Sequence, residues 1–235
     1  MSSEGSFPTD RPAASNGTGA EHLQHVVDLY GVMAYGELSA FERFSSDARF
    51  SPTLKDRADL GRLAVVEFGH FELVSAELAR LGVDVQVAMA PFQASIDAFH
   101  ERTRPGDWYE SLMKAYVTDA VSGDFYRAIA DRLDPDTRAL VSRIKENGDQ
   151  LALLTTRLRR ALEHDERLAS RLALWGRRLV GEALTQAQRI GIERAFLGAL
   201  LGLDEPASQQ AVTAELFAEL TRNHSRRMNA LGLTA

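Results

Sequence analysis

Glu67 and His70 stand three residues apart within an apolar series, Leu60, Leu63, Val74, Leu78 and Leu81. On an α-helix that spacing sets a carboxylate oxygen and an imidazole nitrogen on the same side. Thirty residues earlier, Glu37 occupies the position that would complete the stripe Val26, Tyr30, Met33 and Phe44, stepping about 100° per residue. A third acid, Asp119, interrupts Leu112, Tyr116, Gly123, Tyr126 and Leu133 in the same way. Three segments each put an acid in the middle of the face that should be buried. Burying an uncompensated carboxylate costs several kcal/mol, so such groups are paired, protonated or bound to metal. An acid from one helix with Glu-x-x-His from its partner is half of a dinuclear carboxylate site. The competing reading is a buried salt-bridge network that draws on Arg43, Arg62 or Lys114.

The fourth segment is less direct. It carries Glu146 and Asp149, a Glu-x-x-Asp, where a second Glu-x-x-His would complete the pattern. Its clear apolar stripe is Leu140, Ile144, Leu151, Leu158 and Leu162, with Asn147 on it. On the helical wheel Glu146 falls well off that stripe and Asp149 nearly opposite it. Either this helix buries two faces or the two acids are solvated.

The elements that must carry these residues are helices throughout. Breaks at residues 45–52, Gly82-Val83-Asp84, Arg104-Pro105-Gly106-Asp107, Asp134-Pro135-Asp136 and Gly202 to Pro206 separate helices expected at 21–46, 54–81, 107–133, 136–164, 167–201 and 207–231. The links from the first helix to the second and from the third to the fourth are short, whereas residues 82–106 form a long one. Two hairpins joined by one long crossover is the connectivity of ferritin-like bundles. The expected fold is therefore all-α: a ferritin-like four-helix bundle with its crossover between helices 2 and 3 and two additional C-terminal helices.

Tyr35-Gly-Glu37, Glu67-Phe-Gly-His70-Phe-Glu72, Asp119-Ala-Val-Ser-Gly-Asp124-Phe-Tyr126 and Glu146-Asn-Gly-Asp149 together resemble the ferritin-like tRNA 2-methylthio-N6-isopentenyladenosine hydroxylases over roughly residues 27–160. The resemblance implies a non-haem di-iron oxygenase that hydroxylates a hypermodified tRNA adenosine. It places Glu37, Glu67, His70, Asp119, Glu146 and Asp149 at metal-ligand positions, with two irons per chain. Three positions depart from that family: Asp119 stands for Glu, Asp149 for His, and Val121 for Arg. Without its histidine the second metal has an all-oxygen set, a harder donor set that suits manganese or leaves one metal alone.

Composition sets the outer bounds. Hydrophobic residues make up 45% and charged ones 26%, an ordinary globular balance. The net charge of -6 advertises neither nucleic-acid nor membrane binding. With no cysteine, disulfides, Cys-ligated zinc and iron–sulfur clusters are excluded. Residues 1–20, rich in Ser, Gly and Pro, read as a disordered tail without a secretory signal, leaving 21–235 as one helical domain in a cytoplasmic protein. The expected partners are tRNA or a small-molecule substrate, with no membrane, and a homodimer is compatible with the sequence. Arg222, Arg226 and Arg227 near the C-terminus read first as cations complementing a helix dipole and second as a phosphate site. The function of a different class is a non-catalytic or single-metal bundle acting as an interaction scaffold, which metal analysis of the purified protein separates from the oxygenase.

Overall fold

The computed structural model describes residues 15–130, 133–145, 148–163, 165–194 and 206–234, with side chains for all of these except 15–18, 148–150, 191–194 and 206–209. Among them the chain is helical: α1 Ser15–Asp47, α2 Leu54–Arg80, α3 Val85–Arg102, α4 Trp108–Ala130, α5 Pro135–Lys145, α6 Gly148–Leu162, α7 Glu166–Arg194 and α8 Pro206–Ala230. No strand occurs among the described residues. None of the described helices is long and apolar enough to cross a membrane.

The expected breaks before α2, α3, α4 and α5 are helix starts with a chemical reason, while residues 202–205 of the last expected break lie outside the described residues. Thr53 Oγ1 accepts from Asp56 N at 3.1 Å and opens α2. Asp84 Oδ1 accepts from Gln86 N and Val87 N at 2.7 and 3.2 Å and opens α3. Asp107, Asp134 and Asp165 cap α4, α5 and α7 in the same manner. These side chains satisfy amide donors that have no partner within their own helix. Gly82, at φ 73°, closes α2 in the left-handed conformation that glycine adopts without penalty.

Three expectations change in detail. The crossover over residues 82–106 is itself a helix, α3, despite Pro91 in its seventh position. Residues 15–20, assigned to the tail, are the first turns of α1, and 1–14 lie outside the described residues. The helix expected at 136–164 is described in two parts, α5 and α6.

Helix α1 packs against α2 and α3, while α4 packs against α6, α7 and α8, and α3 bridges to α7. The apolar side chains form two clusters rather than one. The first gathers Leu29, Met33, Val74, Leu78, Phe92 and Ile144. The second gathers Leu63, Met113, Val117, Leu158, Leu172 and Leu179. On α1 the first cluster ends at Ala34 and the second begins at Phe44. On α2 the second ends at Ala64 and the first resumes at Val74. Glu37, Glu67 and His70 fall in these gaps, so the fold holds a polar layer between two hydrophobic halves.

Candidate metal centre

Helices α1 and α2 bring Glu37, Glu67 and His70 together, as their shared position on the two inward faces requires. All three are buried, at 4%, 5% and 8% exposure. One ligand atom from each lies within 4.8 Å of the others. His70 Nδ1 is 3.4 Å from Glu37 Oε2 and 3.5 Å from Glu67 Oε2. That nitrogen is buried and makes no hydrogen bond of good geometry among the described residues. Donors ~2.1 Å from a common ion lie roughly 3–4 Å apart, so the spacing suits one metal ion.

The other oxygen of Glu37 is engaged differently. Lys145 Nζ, at the end of α5, donates to Glu37 Oε1 at 2.7 Å. Burial works to raise the Glu37 pKa, but Lys145 and His70 beside it hold the carboxyl well below the usual range. Burial likewise opposes charge on His70, yet Glu37 and Glu67 raise its pKa to about 9. Lys145 is held charged by Glu37 despite its burial, and its ammonium stands 5.3 Å from the Tyr126 ring centroid. Glu37 therefore divides its oxygens, one toward a lysine and one toward the imidazole.

A cavity of about 260 Å³ opens beside this cluster, and Glu37, Glu67, Asp119 and Lys145 line it. Asp119 is partly buried and shares that cavity. Glu146 lies outside the described residues, and of Asp149 only its place in the first turn of α6 is described. Of the six expected ligands, three are thus brought into one cluster and a fourth faces the same space. The residue set fits one ion beside His70.

The salt-bridge partners expected for the acids are elsewhere. Arg62 pairs with Asp59 on the surface at 2.8 Å. Arg43 and Lys114 line the same cavity with His100. The cation that does reach Glu37 is Lys145, which the helical wheel does not single out. In the sequence it merely follows Ile144, a residue of the expected apolar stripe. In the C-terminal basic cluster, Arg227 donates to Asp124 through Nη1 and Nη2, both at 2.6 Å, and so ties α8 to α4.

Residues 20–204 match a family described as a ferritin-like domain of actinomycetes. No curated protein matches the chain. Among solved structures, the chain is similar to protein 19 with aldehyde deformylating oxidase activity from Synechococcus. The TM-score is 0.63 at 23% identity, covering 88% of this chain and 92% of that one. At that identity the likeness is one of fold.

Proposed function

Because the chain belongs to the ferritin-like domain family of actinomycetes, we propose that it is a non-haem metal-dependent oxidoreductase acting on a small substrate drawn into the bundle. The observation that supports this reading is the meeting of Glu37, Glu67 and His70 within 4.8 Å in the gap between two apolar clusters. Glu37 Oε2, Glu67 and the His70 ring nitrogen would hold the ion, iron first and manganese second by donor chemistry. Bound there, the ion supplies the redox capacity for O2-dependent oxidation of a substrate C–H bond. The protein's own part is positional. Lys145 balances the buried charge of Glu37, and the helices fix the three donors at one level. The cavity walls hold substrate beside them and away from bulk water.

Asp119, which lines the same cavity without a histidine beside it, would contribute to a second ion. The first ion should accordingly bind more tightly than any second. The tRNA substrate implied by the family resemblance gains less support than a small molecule. The cavity is lined by side chains of α1 to α5, and Arg227 of the basic cluster is already paired with Asp124.

Metal analysis of protein purified without added metal tests the proposal. We expect about one iron or manganese per chain, lost in Glu67→Ala with folding retained. A folded wild-type chain that takes up neither metal, even on reconstitution, would reduce the cluster to a structural ion network around Lys145.

A further inference from the structure

The same cavity also carries basic side chains from three helices. Arg43 on α1, His100 on α3 and Lys114 on α4 all line it. Each carries a buried nitrogen that has no hydrogen-bond partner among the described residues: Arg43 Nε, His100 Nδ1 and Lys114 Nζ. Lys114 is only 5% exposed, and its ammonium lies 5.3 Å from the Phe99 ring centroid. Asp47 lines the same cavity, but its Oδ2 accepts the Ser111 hydroxyl. A buried cation with open donor positions is costly unless an anion meets it. Burial and the neighbouring Arg43 push the Lys114 pKa down to about 7. Burial, Lys114 and Arg43 together lower that of His100 to about 3, keeping the imidazole neutral.

A second cavity, of about 240 Å³, adjoins the first. Both have Val32, Ile96, Phe99, Thr118, Ser122 and Tyr126 in their walls. The rest of its lining is largely apolar, with Phe125, Leu184 and Phe217 among it. At about 30 Å³ per water-sized group, the first cavity, of about 260 Å³, takes roughly nine such groups. A longer chain would continue into the second.

We propose that these cavities bind a medium-chain carboxylate, its head on Arg43, His100 and Lys114 and its tail along Phe99 toward Phe125 and Leu184. A single negative charge is the appropriate head, because Asp47, Glu37 and Glu67 line the same space and would repel a dianion. The tail passes through the cavity that Glu37 and Glu67 also line, so assigning the carboxylate as substrate rests on the function proposed above. The binding itself does not require the metal.

Octanoate and 1-octanol share a tail and differ in the head, and they serve as probes for the full chain, as purified and after chelation. By calorimetry at pH 6.5, octanoate should bind at least about tenfold more tightly than octanol, as expected for charge-assisted contacts. Lys114→Met and Arg43→Met should each erase most of that preference while changing octanol binding little. Leu184→Trp, which fills the apolar cavity, should weaken both probes. Unfolding curves establish that each variant is folded. The preference should persist in chelated protein, so a chain that binds octanoate but no metal would refute only the proposed function. Equal binding of the two probes by wild type, or a preference that survives both methionine substitutions, overturns the carboxylate site.

Discussion

Replacing Lys114 with methionine removes a buried ammonium and keeps a side chain of similar length. The lysine pKa falls from 10.5 to about 7 on folding, first through burial and then through Arg43. A group whose folded pKa lies below its unfolded value destabilises the fold while it is protonated. That cost is complete below pH 7 and vanishes as pH rises to about 10.5. At about 1.36 kcal/mol per pH unit the full cost is about 5 kcal/mol, taken as an upper figure. Linkage gives about 4–5 kcal/mol at pH 6.5 and about 2 kcal/mol at pH 9. Lys114→Met should therefore be more stable than wild type near neutrality, with the gap narrowing by about 2–3 kcal/mol between those two pH values. Any packing change introduced by methionine is the same at both, so it cancels from the comparison. Neighbouring His100 stays neutral in the fold across this interval and titrates only in the unfolded chain, alike in both proteins, so its contribution cancels. Urea unfolding at pH 6.5 and 9.0 measures it, and in thermal scans the gap should change by roughly 5–10 °C. Parallel pH profiles for the two proteins would refute the reasoning, because Lys114 would then be solvated or paired in the folded state.

Two further substitutions probe how the helices are held. A Cβ on Gly31 would lie 2.2 Å from the Ala88 carbonyl oxygen of α3, a backbone contact that cannot rotate away. Gly31→Ala should thus cost about 1–3 kcal/mol by urea unfolding, despite the better helix propensity of alanine, and a stabilised variant would contradict the close α1–α3 approach. Asp124 is buried under two 2.6 Å bonds from Arg227 and a third from Arg127 at 2.8 Å. Asp124→Ala should cost about 3 kcal/mol or more and Asp124→Asn, which keeps one acceptor oxygen, less, whereas equal losses in calorimetric unfolding would mean that the charge alone, absent from both variants, joins α4 to α8.

The centre was legible where helical periodicity and residue chemistry disagreed. Glu37, Glu67 and His70 each take a position that a leucine would otherwise fill, and the structure gathers all three. Asp119 follows the same logic into the shared cavity. Lys145 could not be found this way, because it reaches Glu37 from a different element, and a helical wheel records faces without recording reach. Arg43 and Lys114 were recognisable as candidate countercharges, but only the tertiary arrangement shows that they line one cavity with His100. His100 belongs to a segment that Pro91 disguises as a link, although Asp84 caps it as a helix. Glu182 and Gln186, one turn apart on α7, illustrate the same boundary. Glu182 finds Arg102 at 3.6 Å, while both amide atoms of the buried Gln186 lack a hydrogen-bond partner among the described residues.

The polar layer between the two apolar clusters also acts as an alignment key. Sliding any one of α1 or α2 along its axis by a single turn, about 5.4 Å, would move an acid against leucines and leave its former partners facing hydrocarbon. A core of uniform leucines would tolerate such a slip far more readily, since one apolar level replaces another. The misaligned packings are penalised by several kcal/mol for each stranded charge, and the native alignment alone escapes the penalty. The layer thereby selects one vertical setting of the helices even before any ligand arrives, and the donors at its centre meet because no other setting is equally low in free energy.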